Sequence, residues 1–186
     1  MDRREAVQYI SILLGGTLVG SSAFLSGCKT ATTDLTKFTD EDIAWLDEVA
    51  DTILPPTKTP GAKAAKVGLF MTVMVNDCYT AADQKVFHKG IGQLNDYSKE
   101  KMGDTFLKLN AQQRNELLIK LDQDQKEYMK NKKGDDPSHY FRMMKELTLL
   151  GYFTSEIGST QARRYVERPG RFDACIPYEK GDKAFA

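Results

Sequence analysis

Between residues 39 and 186 the apolar positions recur at helical spacing, and no stretch alternates in the manner of a half-buried strand. Ile43, Leu46, Val49, Ala50 and Ile53 share one helical face. Thr39 with Asp42 resembles a capping box in which Asp replaces the usual Glu or Gln. That helix ends before Pro55-Pro56, because proline lacks an amide donor and disfavours helix in the residue ahead of it. Pro55 to Gly61 reads as a rigid turn, and the chain restarts at Ala62. Val67 to Tyr79 is an apolar run whose length and helical neighbours make it a buried helix. Thr80 with Asp83 caps a helix reaching about Lys101, with Val86, Phe87, Ile91 and Leu94 inward. Asn110 caps the next, in which Leu117, Leu118 and Leu121 form the apolar face. Its polar continuation, Asp122 to Lys133, reads as a solvated helix end and a loop closed by Gly134 and Pro137. Ser138 to Ile157 is the last long helix. It is apolar nearly all round (Tyr140, Phe141, Met143, Met144, Leu147, Leu149, Leu150, Phe153), which puts it at the centre of a core or under a partner. Ser159 opens a short helical turn before Pro169-Gly170, and an extended tail follows to Ala186. The fold class is all-α, one compact domain over 39–186 with about five main helices.

Ahead of that domain the pattern changes. Arg3 and Arg4 open a short polar head, and the 17 residues from Tyr9 to Leu25 carry no charge. A charged head, an apolar stretch and small residues at its end make residues 1–27 a secretory signal. The end, Leu25-Ser26-Gly27-Cys28, looks like a lipobox, with Cys28 acylated and cleavage on its amino side. An ordinary signal peptide or a single anchor helix are the other readings. The stretch is at the short edge of the roughly 17–25 residues that span a bilayer, and Gly15, Gly16, Gly20, Ser21 and Ser22 dilute it. The paired arginines suggest twin-arginine export, although Asp2, Ala6 and Gln8 stand where that motif has other residues; the general secretory route remains open. Residues 28–38, polar and threonine-rich, read as a lipidated tether. The destination is the periplasmic side of a bacterial membrane.

Charge excludes some partners. The chain holds 26 basic and 26 acidic residues, a formal net charge of zero, which argues against nucleic acid and against a polybasic membrane surface. With Cys28 lipidated, Cys78 and Cys175 remain as an even pair in an oxidising compartment. Bridged, they would close a loop of roughly 100 residues and add about 4–5 kcal/mol in the chain-entropy picture; unbridged, they are two buried thiols.

Candidate chemistry is sparse. No Cys-x-x-Cys-His and no Gly-x-Gly-x-x-Gly occur, and Gly90-Ile91-Gly92 sits inside a helix. His88 falls on a charged face with Lys85 and Lys89 and reads as solvated. His139 begins a helix beside Asp135 and Asp136, a local electrostatic contact or, at the sharpest, a catalytic pair. Asp122 and Asp124 lack the rest of a calcium loop. The one unusual polar cluster is Arg163, Arg164, Arg168 and Arg171 beside Tyr165 and Phe172. Arginine with aromatics is the composition of a protein–protein hot spot; an anion site and tail-to-core salt bridges are the alternatives. No catalytic, cofactor-binding or metal-ligating residue emerges.

Several stretches resemble the gluconate 2-dehydrogenase subunit 3 family. They are Ala50-Asp51-Thr52-Ile53-Leu54-Pro55-Pro56-Thr57 with Thr59-Pro60-Gly61-Ala62, and Asn76-Asp77-Cys78-Tyr79. Leu147 to Glu156 and Pro169 to Tyr178 complete the set. The resemblance implies a non-catalytic small subunit of a membrane-associated flavin-dependent sugar or alcohol dehydrogenase. FAD would sit in a large subunit of the glucose–methanol–choline type, which lacks an export signal and leaves the cytoplasm folded with this chain. Electrons would pass on to a cytochrome c or a quinone-reactive subunit. Docking would use the last helix and tail, through Tyr152, Phe153, Arg163, Arg164, Arg168, Arg171 and Phe172. The rival is a free-standing envelope lipoprotein that binds a ligand or scaffold without redox chemistry.

Overall fold

The structure is a computed structural model that describes residues 37–134, 136–168, 170–171 and 174–186. Five α-helices make up the body: α1 (Asp40–Ile53), α2 (Val67–Cys78), α3 (Ala81–Met102), α4 (Ala111–Asn131) and α5 (Tyr140–Thr154). A 3-10 turn, Phe106–Lys108, joins α3 to α4, and a π turn, Gly158–Ala162, follows α5. The chain is all-α.

Local chemistry sets the starts. The Thr39 hydroxyl accepts from the Asp42 amide at 3.1 Å while the Asp42 carboxylate accepts from the Thr39 amide at 2.9 Å, so aspartate completes the capping box. Asn110 and Gln113 form a second box at α4, and Thr80 caps α3. The start of α2 is different. Lys66 there takes a left-handed φ of 54° and offers no side-chain cap. Asp47 supplies the cap from α1: its carboxylate accepts from the Gly68 amide at 2.7 Å. The approach is tight, since a Cβ on Gly68 would lie 2.5 Å from the Ile43 carbonyl oxygen.

The centre of the core is α5, which packs against all four other helices. It buries Tyr140, Phe141, Met143, Met144, Leu147 and Tyr152, with Trp45, Leu46 and Val49 of α1, Met71 of α2, Phe87 and Leu94 of α3 and Leu117 and Leu121 of α4 opposite. The wide apolar face predicted for this helix is therefore mostly absorbed by the fold. Leu149 and Leu150 stay exposed.

Two features differ from expectation. The segment from Asp122 onward is helix to Asn131 and then loop, as expected, but its inner side is not solvated: Gln125 is 2% exposed. Gln, Lys, Glu and Met are good helix formers, and Asp122 pairs with Lys126 one turn on at 2.7 Å. The last helix stops at Thr154, three residues early. The Ser155 hydroxyl donates to the Tyr152 carbonyl at 2.7 Å and accepts from the Gly158 amide at 3.0 Å, turning the chain into the π segment.

Beyond that segment the tail is not simply extended. The Arg164 amide donates to the Ala184 carbonyl at 2.8 Å, and the Ala186 amide to the Arg164 carbonyl at 3.2 Å, a single parallel bridge. Phe185 lies under the Arg164 guanidinium at 4.1 Å, and the Lys183 ammonium donates to the Gln161 carbonyl at 2.5 Å. The returning leg is shaped by a turn in which the Glu179 amide donates to the Asp182 carboxylate and the Asp182 amide to the Glu179 carbonyl, both at 3.0 Å. Gly181 there has φ of 105°.

Candidate functional site

Arg3, Arg4 and Cys28, with the signal and nearly all of the tether, lie outside the described residues, as does Phe172. The tether's last residue is placed. Phe38 stacks on His88 at 4.0 Å and meets Phe87 edge-on at 5.9 Å.

The predicted docking residues divide by burial. Tyr152 is 5% exposed, and its hydroxyl donates to the Pro60 carbonyl at 2.7 Å with the Thr59 hydroxyl at 3.4 Å. It is a core residue and is not open to a partner, because the turn at 59–61 closes over it. Phe153 is half-buried beneath the Arg163 guanidinium at 4.7 Å. Arg164, Arg168 and Arg171 are exposed, with Tyr165, Val166, Ile176 and Tyr178 on the same excursion of chain. The expected bridge between Cys78 and Cys175 is not formed, and the two are not buried thiols either: both are free and exposed. Cys78 ends α2, whereas residues 174–183 are exposed throughout, with no packing to bring Cys175 onto it.

His139 begins α5 as expected, whereas His88 does not sit on a solvated face. His88 is half-buried, and its Nε2 finds no hydrogen-bond partner. Burial pushes its pKa below the usual value, against the pull of Asp42. His139 is a helix cap: its Nδ1 accepts from the Phe141 amide at 3.2 Å and its ring stacks on Tyr140 at 4.4 Å. Burial lowers its pKa too. Asp135 is outside the described residues, and Asp136 accepts from the Lys133 amide at 3.1 Å, so no His139–Asp136 pair exists.

The strongest polar constellations are ones that sequence pattern missed. Glu48 pairs with Lys63 and with Arg114 at 2.6 Å. Arg114 also donates to the carbonyls of Phe106 (3.1 Å) and Leu107 (2.6 Å) and lies 5.3 Å from the Phe106 ring. The Lys63 ammonium holds Glu48 below the carboxylate range, with Arg114 assisting against the cost of burial. Asp122 accepts from Lys145 (2.6 Å), Lys126 (2.7 Å) and Gln125 (3.1 Å). Burial opposes its charge, and those three donors together still bring its pKa to about 2. Its cleft, about 250 Å³ and walled by Ile53, Leu118 and Phe141, is lined with cations already neutralised. Such a site can cross-link helices; a poised acid, base or nucleophile is not among its groups. Among the described residues no group of three or more His, Cys, Asp or Glu side chains could hold a metal ion, and no helix is long and apolar enough to cross a membrane.

Residues of the sequence resemblance meet in space. Tyr152 reaches Pro60, and a Cβ on Gly61 would lie 2.4 Å from the Asp51 carboxylate. Beyond those stretches Asp51 accepts from the Lys63 amide at 3.2 Å, and Gly151 packs on Phe70, whose ring would lie 2.5 Å from a Cβ there. The profile of one family, described as gluconate 2-dehydrogenase subunit 3, matches residues 40–170. No curated protein and no solved structure matches the chain.

Proposed function

The chain belongs to the gluconate 2-dehydrogenase subunit 3 family, and from that premise we propose that it is the non-catalytic small subunit of a flavin-dependent sugar or alcohol dehydrogenase. Its partner is a FAD-carrying large subunit of the glucose–methanol–choline type. The chain brings that subunit across the inner membrane already folded and holds it at the periplasmic face through a lipid on Cys28. Electrons leave toward a cytochrome c or a quinone-reactive subunit.

One observation carries this reading. Several residues of the family resemblance are spent on the body's own packing, while others, Ile176 and Tyr178 among them, lie exposed on the arginine–aromatic excursion after α5. Asp51, Tyr152 and Gly151 tie α1, the 59–63 turn, α2 and α5 together. Lys126, Lys145 and Arg114 are consumed in ion pairs. Packing and ion pairs of this kind are in keeping with a subunit that supports a partner.

Co-expression tests it. The large subunit is expressed with the full chain, with the chain carrying Arg3→Lys and Arg4→Lys, and alone. FAD-loaded large subunit should reach the periplasm only with the unaltered chain. Equal export of the holoprotein in its absence would refute the proposal. The Cys28→Ala variant should release the complex from the membrane without abolishing assembly.

A further inference from the structure

Among the described residues of the helical body eight cations pair with a carboxylate, while others on exposed faces, Lys85, Lys89 and Lys120 among them, do not. Lys63, Lys99, Lys101, Lys108, Arg114, Lys126, Arg142 and Lys145 each lie within 4 Å of a carboxylate. The excursion after α5 gathers three arginines without a carboxylate partner within six residues of sequence. Among the described residues Arg163, Arg164 and Arg168 have no carboxylate partner. Two of the three are nonetheless held in place, Arg163 over Phe153 at 4.7 Å and Arg164 over Phe185 at 4.1 Å. A guanidinium whose face rests on a ring keeps its N–H edge for in-plane, bidentate contact with a carboxylate.

The same excursion exposes apolar surface. Tyr165 and Val166 on the outgoing leg are 54% and 42% exposed, and Ile176 and Tyr178 on the returning leg 47% and 76%. The legs are fastened at their base by the Arg164–Ala184–Ala186 backbone pairing and by Phe185 and Lys183. We propose that these two legs, latched by residues 183–186, form the surface that binds an acidic, partly apolar face of the dehydrogenase large subunit. This rests on the subunit reading above. The latch fixes Arg164, and Phe153 fixes Arg163, before contact, which reduces the ordering cost of association.

Charge favours a protein over a lipid surface. Residues 163–186 contain six basic and four acidic residues, so attraction of the basic groups to anionic headgroups is largely offset by the acidic ones. Mixed charge with exposed Tyr and Arg is the make-up of a protein hot spot.

The test measures affinity between the full chain, detergent-solubilised, and the FAD-loaded large subunit. Arg168→Glu reverses an exposed charge, and Phe185→Ala loosens the latch without changing any charge. Lys120→Glu, on the exposed side of α4, is the control, and thermal melting reports on the body. Arg168→Glu and Phe185→Ala should each weaken binding tenfold or more with the melting temperature unchanged, and the wild-type affinity should fall with salt. Wild-type affinity in Arg168→Glu overturns the surface while the subunit reading stands, and wild-type affinity in Phe185→Ala overturns the latch. No binding by the wild-type chain overturns both the surface and the reading. Sedimentation with phosphatidylglycerol vesicles separates the remaining case: loss of vesicle binding in Arg168→Glu, with large-subunit binding intact, assigns the legs to the membrane and overturns the proposal.

Discussion

Tyr152 donates a hydrogen bond to the Pro60 carbonyl across 92 residues of sequence, and Arg114 reaches Glu48 across 66. The first fixes the turn at 59–61 and the second ties α4 to α1, and each can be weighed by deletion. Tyr152→Phe removes one hydroxyl and leaves a carbonyl unsatisfied, a loss of about 1–2 kcal/mol in urea unfolding. Large-subunit affinity should not change, because that ring is buried. Arg114→Met should cost more, about 2–3 kcal/mol, since it leaves two carbonyls unsatisfied and Glu48 with Lys63 alone. A double variant, Glu48→Gln with Arg114→Met, should recover part of that loss if the ion pair is coupled as described. Neither contact was legible in the sequence. Spacing reports which face a residue occupies, and says nothing about which distant carbonyl or carboxylate will lie opposite it. The caps at Thr39, Thr80 and Asn110 were legible, because a cap acts within one turn, although the Gln113 half of the second box went unpredicted.

Elements followed from pattern where burial dictated the pattern, and departed from it where polar groups were paired out of sight. The continuation of α4 looked solvated because its residues are polar, yet Asp122 and Gln125 face Lys145 and the core rather than water. The end of α5 departed for a local reason: Ser155 hydrogen-bonds across the break, and Gly158 returns so close that a Cβ would lie 1.8 Å from the Tyr152 carbonyl oxygen. That oxygen belongs to the backbone of a packed helix and has little room to move. Gly158→Ala should therefore destabilise by about 3 kcal/mol or more. It should also weaken large-subunit binding, since the turn launches the first arginine leg. The fastening of the tail had no precursor in the pattern at all, because a single backbone bridge leaves no periodicity to read.

At the scale of the whole molecule, neutral net charge conceals an acid-sensitive balance. His88 and His139 both have pKa values lowered from 6.5, so the unfolded chain binds their protons more readily. Their contribution is complete above pH 6.5 and is lost as pH falls through the folded values. The geometry agrees. Protonated His139 can no longer accept from the Phe141 amide, and protonated His88 would carry an N–H into a site with no acceptor. Asp122 acts lower: its pKa falls from 3.8 to about 2, so its share, about 2 kcal/mol, persists above pH 3.8 and disappears as pH falls through 2. Asp47 runs the other way. Burial raises its pKa, the Gly68 amide notwithstanding, so its effect stabilises at low pH and is withdrawn as pH rises through the folded value. Urea midpoints from pH 8 to pH 2 should thus show two descending limbs, one below pH 6.5 and one below pH 4. His88→Phe, which keeps a ring against Phe38, should flatten the upper limb, and Asp122→Asn the lower one. An upper limb that survives replacement of both histidines would show that other groups set the acid response, and that burial of the two imidazoles is not linked to folding.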